Sequence, residues 1–197
     1  MKGLPMRKLS LLITLILATM ISCRKESTAT TAGQDSPSAA AQPAEGTGSE
    51  GGRPSVGAPM PEFEAKYLDG KAFRISEQRG RVVLLNIWAT WCGPCRYEIP
   101  ELKKLQEQHG GEKFDVVGVS VDDADQAAEV SNFAEGHRIN YPIVHDPAAK
   151  LAEMFQTSVI PTSALIDRNG RIVWYHIGIV RSADPELQKA LKSALGS

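Results

Sequence analysis

Val82-Val83-Leu84-Leu85-Asn86-Ile87-Trp88, followed by Ala89-Thr90 and then Trp91-Cys92-Gly93-Pro94-Cys95, is the stretch that decides the fold. The first seven residues are apolar and β-branched apart from Asn86, the pattern of a strand buried on both faces. From Arg96 to His109, Ile99, Leu102 and Leu105 recur at helical spacing. The two cysteines therefore sit at a strand-to-helix turn, beyond the carboxyl end of a strand, where α/β folds place their chemistry. Cys92 falls at the helix N-terminus, where unpaired N–H groups and the helix dipole favour a thiolate. Cys95, one turn further in, is within reach of it and able to resolve a mixed disulfide. Pro94 suits a first helical turn, and Gly93 keeps the turn free of side-chain bulk.

Other uses of two cysteines three apart fit less well. A zinc site takes about four ligands, and the remaining candidates are Cys23 and the scattered His109, His137, His145 and His176. Copper would have to use Cys92 and Cys95 themselves. A purely structural disulfide across so short a loop adds little stability by loop entropy. A redox-active dithiol is the reading that remains. With 197 residues, a net charge of −1 and 42% hydrophobic residues, the chain has room for one ordinary core and no sign of nucleic-acid binding.

Upstream, Lys2, Arg7 and Lys8 precede the apolar stretch Leu11–Ile21, which ends in Met20-Ile21-Ser22-Cys23. That is the size and flank of a signal-peptide core, expected over residues 1–22. The small residue before Cys23 resembles a bacterial lipobox, which implies cleavage before Cys23 and its lipidation. Met20 stands where that pattern usually has Leu. An uncleaved signal anchor and a soluble secreted form are the alternatives, and all three export the domain. Residues 23–57 read as the lipidated cysteine and a Ser/Thr/Ala/Gly/Pro tether too poor in apolar residues to fold, with a reach of about 30–35 Å.

The folded domain is expected over 58–197. A hairpin spans Glu64–Ile75 around Asp69-Gly70, read as a two-residue turn. Ser76–Gln78 makes one helical turn. A strand runs over 114–121, and Asp122-Asp123 are the expected caps of a helix over 124–135. Tyr141–Val144 is a strand, and Asp146-Pro147 starts a helix to Phe155. Strands follow over 163–167 and 172–177, and Asp184-Pro185 opens a final helix with Leu187, Leu191 and Leu195 on one face. Pro100 is expected to kink the first helix. The order, βαβ and then a hairpin and a closing helix, predicts a mixed sheet with helices on both faces.

Trp88 through Cys95 resembles the active site of the thioredoxin superfamily. The longer block Gly80–Pro100 is similar to TlpA/ResA-type thiol-disulfide oxidoreductases of the bacterial envelope. Val117-Gly118-Val119-Ser120-Val121-Asp122 and Ile160-Pro161-Thr162 match later blocks, so the resemblance covers roughly residues 57–195. It implies a thioredoxin-like three-layer α/β fold with an added N-terminal β-hairpin. It also implies a cis peptide at Pro161, with Ile160 facing the substrate beside Trp91, Gly93 and Pro94. Thioredoxin carries a buried Asp at the position of Asn86, which cannot titrate. In this group Glu98, three residues after Cys95, takes over proton transfer if burial raises its pKa; a solvated helix-face Glu is the alternative.

The implied activity is reduction of disulfides in exported proteins: Cys92 attacks, and Cys95 releases the reduced partner. Electrons come from a membrane-embedded donor, and substrates belong to cytochrome c biogenesis or related envelope processes. No cofactor, metal or nucleic acid is implied, and a monomer is expected, lipid-anchored with its domain in the periplasm or outside the cytoplasmic membrane. A peroxiredoxin-type thiol peroxidase shares the fold, but the residues before Cys92 lack its Pro-x-x-x-Thr/Ser-x-x-Cys context. A redox-independent peptide-binding or chaperone module is the other alternative.

Overall fold

A computed structural model of the chain describes residues 55–196. The expected signal peptide over residues 1–22, Cys23 and the expected tether up to residue 54 lie outside the described residues. The strands are β1 (Glu64–Tyr67), β2 (Ala72–Arg74), β3 (Val82–Trp88), β4 (Phe114–Ser120), β5 (Ile143–His145), β6 (Thr162–Ile166) and β7 (Ile172–Ile177). The helices are α1 (Gly93–His109), α2 (Ala127–Gly136), α3 (Lys150–Met154) and α4 (Pro185–Leu195).

All seven strands form one sheet in the order β2-β1-β5-β4-β3-β6-β7. β3 is parallel to β4, and β4 to β5, while β6 runs antiparallel to β3 and β7 to β6. Every residue of β3 is buried, as the unbroken apolar run requires of a central strand. Its alternation feeds two cores. Val83, Leu85 and Ile87 join Phe63, Leu151 and Phe155 on one face. Val82 and Leu84 join Leu102 and Leu105 of α1 and Leu187 and Leu191 of α4 on the other. Each buried leucine contributes about 1.5–3 kcal/mol, so truncating Leu102 or Leu187 would loosen the seat of α1. The same alternation turns the one polar residue of β3, Asn86, toward α1. Gly118 gives Trp88 its space: a Cβ there would lie 2.9 Å from the Trp88 Nε1.

The hairpin turn differs from expectation. Gly70 N–H donates to the Tyr67 carbonyl and Tyr67 N–H to the Lys71 carbonyl, both at 2.9 Å, with Gly70 at φ +85°. This is a three-residue loop ending in a left-handed glycine, not a two-residue turn. α1 begins three residues before Arg96 and runs on through Pro100. α3 starts later than the Asp146-Pro147 signal suggests. Asp146 still caps it, accepting the Leu151 N–H at 2.9 Å, but from five residues away across a turn in which Ala149 has φ +50°. The helix after β4 opens with a 3₁₀ turn, Ala124–Gln126, anchored on Asp123, whose N–H donates to Gln126 Oε1 at 3.0 Å; Asp122 is buried elsewhere. α4 starts as expected, with the Asp184 carboxyl accepting the Leu187 N–H at 2.9 Å. Gly57 N–H donates to the Ile172 carbonyl at 2.7 Å, so described residues ahead of the expected domain start already touch β7.

Candidate active site

Cys92 is the N-cap residue of α1, and its Sγ accepts the backbone N–H of Cys95 at 3.2 Å. A sulfur in that place carries its charge next to a free helix N–H and the positive end of the helix dipole, which favours thiolate over thiol. Cys92 and Cys95 are joined as a disulfide, with Cα atoms 5.3 Å apart. Both are nearly buried, while Gly93 and Pro94 between them are exposed on the first turn. Approach to the sulfurs is therefore over the Gly93-Pro94 side and not through the core.

The Ile160–Pro161 peptide is cis, and the Ile160 carbonyl oxygen lies 3.8 Å from Cys92 Sγ. Ile160 is half-buried against the cluster that contains both cysteines. Trp91 is 65% exposed directly ahead of Cys92. Sequence reading missed three further exposed apolar residues near this face: Val159, Ile177 and Ile179. Gly178 N–H donates to the Pro161 carbonyl at 2.8 Å and so fastens Ile177 and Ile179 beside the cis-proline. An apolar pair flanking a glycine at the end of a strand is the only local hint of that role.

Glu98 is fully buried, on the turn of α1 after Cys95. Its Oε2 accepts from Asn86 Nδ2 at 2.8 Å and its Oε1 from the Val180 N–H at 2.6 Å. Asn86 Nδ2 also donates to Ser163 Oγ at 3.0 Å. Burial raises the Glu98 pKa to about 7, with the two hydrogen bonds pulling the other way. The solvated alternative for Glu98 does not hold. Tyr141, buried nearby, has its phenol pKa raised by burial and then by the Glu98 charge. One turn along, Glu101 accepts the Ser182 N–H at 2.7 Å and the Ser182 hydroxyl at 2.6 Å; these bonds hold its pKa down. Arg96 spends its guanidinium on the Thr90 carbonyl, at 3.2 Å from Nε and 2.9 Å from Nη2.

Among the described residues there is no group of His, Cys, Asp and Glu able to hold a metal ion, and no helix long and apolar enough to cross a membrane. The arrangement can cycle between dithiol and disulfide, with a carboxyl near neutrality three residues along α1 and an apolar face for a partner chain.

Comparison with known proteins points the same way. A family model described as Redoxin matches residues 55–191. The thiol-disulfide oxidoreductase ResA of Bacillus thuringiensis is 31% identical over 123 residues, 62% of this chain and 70% of that protein. A thiol:disulfide interchange protein of the thioredoxin family from Chlorobium tepidum superposes with a TM-score of 0.60 at 30% identity, covering 74% of this chain and 99% of that one. The exposed lipoprotein thioredoxin of Streptococcus pneumoniae gives 0.57 at 29% identity, over 67% and 99%.

Proposed function

This chain belongs to the Redoxin family and is a thiol-disulfide oxidoreductase of the TlpA/ResA-like branch of the thioredoxin superfamily, and on that premise we propose that it works as a reductase of exported proteins. The Cys92 thiolate attacks a disulfide in the partner, forming a Cys92–partner bond and expelling one partner thiolate. Cys95, losing its proton to Glu98, then attacks Cys92 Sγ, forming the Cys92–Cys95 disulfide and releasing the second partner thiolate. Two electrons have moved to the partner, and Glu98 passes the proton to one of the departing partner thiolates. Trp91, Gly93, Pro94, Ile160 and Pro161 form the surface that receives the partner, extended by Val159, Ile177 and Ile179. The half-exposed backbone at Ile160 can pair with an extended peptide as a short added strand, the Pro161 carbonyl beneath it being held by the Gly178 N–H.

The observation that carries this reading is the Cys95 N–H on Cys92 Sγ, facing the Ile160 carbonyl across an apolar rim. The rest of the cycle follows from where the chain would work. Residues 1–22 direct export, lipid on Cys23 anchors the chain, and the stretch from residue 24 up to the β7-bound Gly57 tethers the domain. The solved relative named as a lipoprotein supports the anchor. In an oxidising envelope a reductase needs a supply of electrons, for which a membrane-embedded donor is the proposed source, with cytochrome c maturation or a related process as the destination.

The deciding experiment equilibrates the purified chain with glutathione and dithiothreitol couples and reads the Cys92–Cys95 potential. A value near that of thioredoxin, about −270 mV, fits a reductase. A value near −120 mV, roughly that of a strong disulfide donor, reverses the direction.

A further inference from the structure

Asp122 is a fully buried carboxyl that the proton and disulfide steps above do not use. Each hydrogen-bond partner of its two oxygens is a donor. Thr90 N–H lies 3.1 Å from both Oδ1 and Oδ2, the Thr90 hydroxyl donates to Oδ1 at 2.5 Å, and the Ser120 hydroxyl donates to Oδ2 at 2.7 Å. The Asp122 carbonyl accepts from His145 Nε2 at 2.9 Å, which ties its backbone to the end of β5. A carboxyl taken out of water needs such a shell, and here the shell comes from the turn that leads into the dithiol.

Thr90 stands two residues before Cys92. Its N–H and hydroxyl go to Asp122, and its carbonyl goes to Arg96, whose guanidinium carbon lies 5.5 Å from the centre of the Phe133 ring on α2. Every polar group of Thr90 is thereby held, from the segment just after β4 on one side and from α1 on the other. The parallel pairing of Trp88 with Ser120, and the Val121 N–H on the Trp88 carbonyl at 2.9 Å, set the two strand ends side by side. The Cys92 N–H on the Ala89 carbonyl at 3.1 Å closes the turn.

We propose that Asp122 is a positioning residue for the dithiol. It fixes Thr90, and through the 89–92 turn it holds Cys92 Sγ where the Cys95 N–H can stabilise the thiolate. This rests on the reading of Cys92 as the nucleophile. A displacement of about 1 Å at a reacting atom costs on the order of a hundredfold in rate, so a clamp two residues away is worth a buried carboxyl.

The test uses the full chain, reduced, with Thr90→Val, Asp122→Asn and Asp122→Ala. Iodoacetamide alkylation against pH, with the modified cysteine identified by peptide mass, gives the Cys92 titration. Insulin disulfide reduction gives kcat and KM, and urea unfolding gives stability. Thr90→Val deletes one hydroxyl and leaves all charges in place. It is expected to raise the Cys92 titration midpoint and to lower kcat about three- to tenfold, with KM within twofold because the docking face is untouched. Asp122→Ala is expected to lower kcat about 10- to 100-fold, and Asp122→Asn, which keeps one acceptor for Thr90, to recover part of that loss. If Asp122→Ala does not fold, Thr90→Val alone decides. Variants that lose stability while Cys92 titration and kcat stay within twofold of wild type overturn the positioning role. First alkylation at Cys95 instead of Cys92 in the wild type overturns the nucleophile assignment, and this proposal with it.

Discussion

Helix α1 meets the segment between β7 and α4 twice, and the inner and outer contacts behave oppositely. Inside, Glu98 takes the Val180 N–H; outside, three residues along, Glu101 takes the Ser182 N–H and hydroxyl. Both are glutamates, both accept from the same segment, and both bonds to its backbone are short. Glu98 is fully buried and its pKa is raised to about 7, whereas Glu101 is half-exposed and its pKa is lowered. Depth is the main difference: in the core the loss of hydration outweighs two hydrogen bonds, while at the surface the hydrogen bonds win, helped by the charges of Lys104 and Arg181. A buried carboxyl poised near neutrality and a latch are thus made from one residue type on one helix.

The sharpest way to break this comparison is stability against pH. The folded pKa of Glu98 lies above its unfolded value. Its contribution is therefore fully present below about pH 4.5 and is lost as pH rises through about 7. Relative to Glu98→Gln, the wild type should lose about 3 kcal/mol between those limits, read as urea unfolding free energies. A flat difference would mean that Glu98 is no more buried in solution than Glu101. Next in size is activity. Glu98→Gln should slow disulfide reduction about 10- to 100-fold and remove the ionisation near pH 7 from the rate profile. An unchanged profile would take the proton-transfer role away from Glu98. The smallest effect belongs to Glu101→Gln. Because its folded pKa is lowered, its contribution is present at neutral pH and fades as the medium becomes acidic through the carboxylate range. Exposure limits the cost to about 1 kcal/mol or less at pH 7. A loss as large as that at Glu98, or of the same pH sign, would undo the distinction.

The sequence was most readable where a signal is local. The run Val82–Trp88, the return strand Ile172–Ile177 and the Asp184-Pro185 helix start were each fixed by residues within one turn or one strand, and they formed where expected. So did the meeting of Cys92 with Cys95 and the cis peptide before Pro161, the latter implied by resemblance. Readings failed where a local signal competed with a distant partner. Asp122-Asp123 looked like two interchangeable caps, and only Asp123 serves the helix. Pairing of β3 with β4 brings Asp122 under Thr90, 32 positions earlier, and no periodicity announces that. Asp146-Pro147 looked like a cap and first residue, but the left-handed Ala149 delays the helix. Glu98 was left between two readings because burial depends on Val180 and Asn86, 82 residues after it and 12 before it.

The proposed nucleophile is also the end-piece of its own helix. The sulfur assigned to attack the partner is the one that accepts the Cys95 N–H and closes the first turn of α1. As a thiolate it makes that bond charge-assisted, roughly twice the strength of a neutral one; bound into a disulfide it offers a weaker acceptor. On the proposed cycle each turnover tightens and slackens the same turn of backbone, so folding and catalysis would draw on one sulfur. Amide exchange at Cys95 should be slower in the reduced protein than in the oxidised one.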